Sequence, residues 1–204
     1  MPRQKRFLIP NVPVHLVQRG RSKRNVFHRD ADFTVYKAAL LKAIAKTGCL
    51  LHAYVLMDNH VHLLITPPKE DALIRFMKVV GVRYVPFYHQ VYGTSGSIWE
   101  GRYKSSLILN MNYFFSVMRY IEMNPVRAGM VDFPVQYRWS SYAGNVGLTE
   151  DELLSPHTLF DSLGASKQIF FEEYKRLFGS VTDHVYVDVI RSALRGSNNL
   201  GEEM

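Results

Sequence analysis

Cys49-Leu-Leu-His-Ala-Tyr-Val-Leu-Met57, the pair Asp58-Asn59, then His60-Val-His-Leu-Leu-Ile-Thr66 is the stretch that decides the fold. Two apolar runs rich in strand-forming residues meet at a pair with turn chemistry, which predicts a β-hairpin. Pro67-Pro68 stops the second strand. In an extended strand, side chains i and i+2 share a face. His60 and His62 therefore stand side by side, with Val61 on the other face. Two imidazoles so placed are half a site for a divalent metal. An isolated His-X-His is as readily a pair of half-buried structural histidines, so the remainder of a site has to come from elsewhere in the chain.

Outward from the hairpin, Val12-Pro-Val-His-Leu-Val-Gln18 alternates and reads as a strand, and Gly20 to Asn25 is a basic loop. Asp32 to Lys46 carries Phe33, Tyr36, Leu40, Leu41 and Ile44 at helical spacing, with Gly48 just past its end. Asp71 to Tyr92 reads as a long amphipathic helix, and Gly93 to Ser97 as a flexible loop. Ile98 to Leu109 supplies one or two short strands. Met111 to Asn124 is a helix ended by Pro125, because the residue before proline disfavours helical geometry. The order β-α-β-β-α-β predicts an α+β fold: a ferredoxin-like or RRM-like antiparallel sheet with helices on one face and the other face free. Residues 1–147 form the expected domain. Residues 148–204 read as a helical C-terminal appendage, with helices over Asp151 to Leu163, Lys167 to Phe178 and Val181 to Leu194, and a loose tail from Gly196.

The 204 residues are 47% hydrophobic, enough for a real core, and wholesale disorder is excluded. A single cysteine, Cys49, excludes a disulfide framework and any multi-cysteine zinc site. The first residues lack the apolar run of a signal peptide, and no stretch is long enough to span a membrane, so a soluble cytoplasmic protein is expected. The net charge of +7 hides an asymmetry: residues 149–204 hold ten of the 18 acidic residues but only five of the 25 Lys and Arg. The basic body points to a polyanionic partner, of which nucleic acid is the commonest.

Tyr120 and Asn124 lie four apart on the third predicted helix and share a face. If that helix packs near the His60/His62 strand, two imidazole nitrogens and the Asn124 amide oxygen converge, with the Tyr120 phenol about one turn away. A phenol, with a pKa of about 10, is a poor nucleophile at neutral pH and needs help. A metal on a non-bridging phosphate oxygen polarises phosphorus and offsets the charge that builds there. Mixed N/O ligation with open positions suits Mg²⁺ or Mn²⁺.

Three blocks carry a family resemblance: His52-Ala-Tyr-Val-Leu-Met-Asp-Asn-His60-Val-His62-Leu-Leu, Trp99-Glu-Gly-Arg-Tyr-Lys104, and Arg119-Tyr120-Ile-Glu-Met-Asn124-Pro-Val-Arg127-Ala-Gly. Together they resemble the single-tyrosine HUH transposases, in particular the branch associated with repetitive extragenic palindromes (REPs). The resemblance runs from about residue 5 to residue 145. It implies the same ferredoxin-like fold, with Tyr120 as nucleophile and His60, His62 and Asn124 as metal ligands. It implies cleavage and rejoining of single-stranded DNA at palindromic hairpins through a 5′-phosphotyrosine, with a 3′-OH released. It also implies a monomer or a homodimer. Arg19, Arg21, Lys23 and Arg24, with Arg102 and Lys104, are the expected phosphate contacts. Two rival readings are a hairpin-binding module that does not cut, and an RRM-like RNA binder with exposed aromatics on its sheet.

Other chemically able residues read as structural. Tyr84, Tyr88 and Tyr92 form one helical stripe, better explained as packing than as nucleophiles. Trp99 suits burial at least as well as base stacking. Asp58 and Asn59 are turn residues without ligand roles, and Arg127 braces the helix stop. His15 reads as structural, with support of the site as a second role. His52 sits on the strand paired with the His60 strand, and His28, His89, His157 and His184 have no constellation around them.

Overall fold

The computed structural model describes residues 8–156, most of 171–178, and 184–196. Strand β1 (Val14–Arg19) leads through a 3₁₀ turn to helix α1 (Asp30–Thr47). The hairpin β2 (Leu50–Met57) and β3 (His60–Thr66) comes next, then α2 (Ala72–Tyr92), β4 (Lys104–Leu107) and α3 (Met111–Glu122). Two single turns, α4 (Asn124–Arg127) and α5 (Tyr142–Asn145), precede the C-terminal helix α6 (His184–Gly196). The sheet order is β2-β3-β1-β4 with every pairing antiparallel, which is the ferredoxin-like arrangement the sequence predicts. α1 ends where expected, with Gly48 in the left-handed region at φ 68° and its N–H on the Ile44 carbonyl.

Strand alternation builds two cores. Leu16, Tyr54, Leu56, Val61, Leu63 and Ile65 point into one layer, against Phe33, Tyr36 and Leu40 of α1 and Leu73, Phe76 and Tyr84 of α2. Full burial of each large apolar side chain contributes about 1.5–3 kcal/mol. The second face is not free, contrary to the sequence expectation. Ala53, Val55, Met57 and Leu64 are covered by Phe114, Val117, Met118 and Ile121 of α3 and by Val187, Ile190 and Ala193 of α6. The reason lies in the strands: both sets of alternate residues are apolar, and an open face would leave one set in water.

The end of α3 also differs from expectation. Pro125 does not terminate the helical path but opens α4, where a missing N–H is tolerated in the first turn. Asp151 to Pro156 is a turn and not the start of a helix. The Asp151 carboxylate and carbonyl take the N–H groups of Leu153 and Leu154, and Ser155 precedes a proline. The Ser155 N–H then docks on the Leu51 carbonyl. Residues 157–163, 167–170, 181–183 and 197–204 of the expected C-terminal elements lie outside the described residues.

A buried carboxylate ties α3 to the segments C-terminal to it. Glu122, fully buried, accepts hydrogen bonds from Ser141 Oγ at 2.5 Å, Asn145 Nδ2 at 2.7 Å and Tyr174 Oη at 2.7 Å. Burial pushes its pKa up to about 7, against the opposing pull of those donors. The folded chain therefore keeps the Glu122 proton to about pH 7, whereas the unfolded chain releases it near 4.5. The linked stability is fully present below about pH 4.5 and is lost as pH rises through 7, with a swing of order 3 kcal/mol. Denaturation midpoints across this range should show wild type losing stability with pH relative to Glu122→Gln. A pH-independent difference would remove Glu122 as the cause.

Candidate active site

β3 leaves the Asp58-Asn59 turn with His60 and His62 on the face that α3 covers. Register fixes them: His60 lies opposite Arg19 and Met57, and His62 opposite Val17 and Val55. The same alternation on β1 brings His15 under α3, opposite Leu64. The His60 and His62 ring centroids are 5.1 Å apart, and the Tyr120 ring lies 5.8 Å from both His62 and His15. Tyr120 reaches this place because Phe114, Val117, Met118 and Ile121 form the apolar stripe that seats α3 on the sheet. Its ring, 7% exposed, sits beside that stripe at the rim of a cavity of about 670 Å³.

Asn124 lines the same cavity, one turn beyond Tyr120. Its Nδ2 donates to the Tyr120 carbonyl at 2.9 Å and to the Ile121 carbonyl at 3.1 Å. Pro125 has no N–H to offer Ile121, so the Asn124 amide makes good the missing bond. With its amide hydrogens committed to the helix end, Asn124 keeps its oxygen as the remaining donor atom. Arg127 completes this corner. Its guanidinium donates to the Tyr120 carbonyl and lies over the Tyr120 ring, Cζ 4.3 Å from the centroid. Burial lowers its pKa to about 10, so it stays cationic at neutral pH, and its Nη1 is buried without a hydrogen-bond partner.

The imidazoles are held neutral. Burial takes His15 to about 3 and, with the Arg19 charge, His60 to about 4. Burial, then the neighbouring His15, His60, Arg127 and Arg19, puts His62 well below its ordinary value. Asn59 Oδ1 lies 2.6 Å from His60 Nδ1, while the Asn59 amide nitrogen donates to the Lys23 carbonyl. An amide oxygen only accepts, so His60 carries its proton on Nδ1 and keeps a bare Nε2. His62 Nδ1 meets His15 Nε2 at 2.9 Å, which leaves Nε2 as its free nitrogen. Among the described residues no three His, Cys, Asp or Glu side chains form a ready ion cage, so an ion here would need the Asn124 oxygen. Two neutral imidazoles and one amide oxygen on one cavity fit a hard or borderline divalent ion with open positions.

The structure thus gathers His60, His62, Tyr120 and Asn124. It adds Arg19, Arg102 and Lys104 to the cavity lining, but leaves Arg21, Lys23 and Arg24 exposed outside it. Their loop is stitched to the cavity rim through Arg21 N–H on the Ile98 carbonyl and Gly20 bridging Trp99. Gly20 is needed there, since a Cβ would come within 2.2 Å of the Arg24 carbonyl oxygen. Sequence reasoning does not find Asp188 and Arg191 of α6, which also line the cavity. It passes over Asn59, whose only signal is its place next to His60. Trp99 is buried against Tyr36, and Tyr84 bonds the Val26 carbonyl on the opposite side of the sheet from Tyr120. His52 is held by Thr66 and the Ser155 carbonyl.

The chain belongs to the IS200-like transposase family, whose sequence model matches residues 9–124. Its fold is shared with a REP-associated tyrosine transposase bound to a REP hairpin, at 17% identity and a TM-score of 0.58, covering 77% of this chain and 99% of that one. A candidate transposase from Deinococcus radiodurans R1 is 18% identical over 59% of this chain and 95% of its own, with a TM-score of 0.41. No curated protein sequence matches the chain. No described helix is long and apolar enough to cross a membrane.

The hydrogen bonds of Asn124 give it a structural duty that is separable from chemistry. Asn124→Ala should lower stability by about 1–2 kcal/mol, read from denaturant midpoints. No loss would mean that the two carbonyls find other donors.

Proposed function

We propose that this transposase cleaves and rejoins single-stranded DNA beside a hairpin, with Tyr120 as the nucleophile. The observation that carries the reading is the Tyr120 ring 5.8 Å from the His62 ring, in a cavity shared with His60 and Asn124 and rimmed by Arg19, Arg102 and Lys104. Tyr120 Oη attacks phosphorus, the bond to the 3′ oxygen breaks, and the chain is left joined to the 5′ phosphate. A second 3′-OH then attacks the phosphotyrosine and Tyr120 leaves. The ester conserves the energy of the broken bond, so no nucleotide cofactor is needed. Arg127 keeps a positive charge against the ring of the attacking group.

His60 Nε2, His62 Nε2 and Asn124 Oδ1 would hold Mg²⁺ or Mn²⁺, which supplies Lewis-acid polarisation of the phosphate when bound. Asn59 orients His60 for that task through the bond to Nδ1. Arg19, Arg102 and Lys104 position the strand through its phosphates, and the outer Arg21, Lys23 and Arg24 extend this basic rim toward the duplex part of a hairpin. The hairpin held by the structurally similar REP-associated transposase supports this substrate class. The RRM-like alternative loses its premise, because α3 and α6 cover the sheet face where bases would stack.

Incubation of the chain with Mn²⁺ and a labelled single-stranded hairpin oligonucleotide taken from palindromes near its gene should give a covalent adduct stable in denaturing gels. Tyr120→Phe should give none while binding the hairpin within a few-fold of wild type. His60→Ala or chelation should cut adduct formation by about a hundredfold or more. Wild type matching Tyr120→Phe across several such hairpins would refute cleavage and leave the reading of a non-cutting hairpin binder.

A further inference from the structure

His60 and His62 are prepared differently for a ligand. Asn59 can only accept, and so settles the His60 proton on Nδ1. His62 Nδ1 instead faces another imidazole, His15 Nε2 at 2.9 Å, which can donate or accept. One proton serves that contact, and the surroundings of His15 decide which ring carries it. His15 is fully buried, and its other nitrogen, Nδ1, has no hydrogen-bond partner. If His62 donates, neutral His15 must carry its own proton on Nδ1, as an N–H buried with nothing to accept it. If His15 donates, its Nδ1 is left with a lone pair only, the less costly orphan.

We propose that His15 is a positioning residue that holds metal-free His62 in its Nε2-protonated tautomer, closing the cavity-facing nitrogen to an ion until the pair rearranges. For ligation, His62 releases its Nε2 proton to water and takes the Nε2 proton of His15 on its own Nδ1. A proton from bulk solvent replaces it on His15, at Nδ1, during the rearrangement, so both rings stay neutral and the proton count is unchanged. The orphan N–H exists only in the ion-bound state, and His15 therefore weakens ion binding through His62. The ion-dependent half of this proposal rests on the cleavage function and its metal. The tautomer of the metal-free chain does not.

Long-range proton–nitrogen correlation spectra of the full chain labelled at histidine read the tautomers directly. The metal-free protein should show His60 protonated at Nδ1, and both His15 and His62 protonated at Nε2. Adding Zn²⁺, a diamagnetic probe, should move the His62 proton to Nδ1. Above its own pKa, the carboxylate of His15→Glu offers an acceptor and no donor. It should convert metal-free His62 to the Nδ1-protonated form and tighten Mn²⁺ binding about tenfold or more. His62 protonated at Nδ1 in the metal-free wild type overturns the proposal, whether or not His15→Glu folds. Unchanged Mn²⁺ affinity in a folded His15→Glu overturns it as well. If neither chain binds Mn²⁺, the metal assignment fails, and the metal-free tautomer still decides the role of His15.

Discussion

The pleat of β3 is the constraint on which the rest of the molecule depends. Val61, Leu63 and Ile65 enter the layer built with α1 and α2, while His60, His62 and Leu64 face α3. A slip of one residue would bury both imidazoles among leucines and turn three aliphatic side chains toward the cavity. The turn resists such a slip. The Asp58 carbonyl accepts the N–H groups of Val26 and Phe27, and the Asn59 carbonyl accepts that of Gly20. The loop carrying the outer basic residues is therefore also the clamp that keeps the histidines in register.

A second dependence runs through the end of α3. Proline at position 125 removes a donor, the Asn124 amide replaces it, and Arg127 reaches back to the Tyr120 carbonyl. These three residues set the pose of Tyr120 from behind, while Glu122 fastens the same turn to Ser141, Asn145 and Tyr174. The helix end is thus overdetermined, which suits the role proposed for Tyr120, since an attacking group must hold its position to a fraction of an ångström.

The hairpin, the side-by-side histidines and the Tyr120–Asn124 offset are legible in the sequence because each is a short-range periodicity. The second covered face is legible too: Ala53-Tyr-Val-Leu-Met57 is apolar on both parities, which contradicts an open sheet. Ordinary ferredoxin-like logic, with helices on one face, overrides that signal. His15 depends on a register across 47 residues, so its partnership with His62 appears only once β1 and β3 are paired. Arg191 gives no local sign at all, since it comes from an acidic segment and reaches the cavity only through the packing of α6. Arg21, Lys23 and Arg24 show the reverse: a charge run is visible in the sequence, but whether it points into a cavity is not.

Arg127 has a wider consequence. Its charge lies half-buried near Arg119 and Arg191, which repel it; the Tyr120 ring offers partial compensation, and Asp188 pairs with Arg191 at 3.8 Å. Like charges held close together at partial burial raise the free energy of the folded chain. Under the proposed function, a phosphate meeting Arg191 at the cavity wall would relax part of that repulsion, so some of the affinity would be strain already present in the folded chain. Occupancy and fold stability are then two measures of one quantity, linked by mass action.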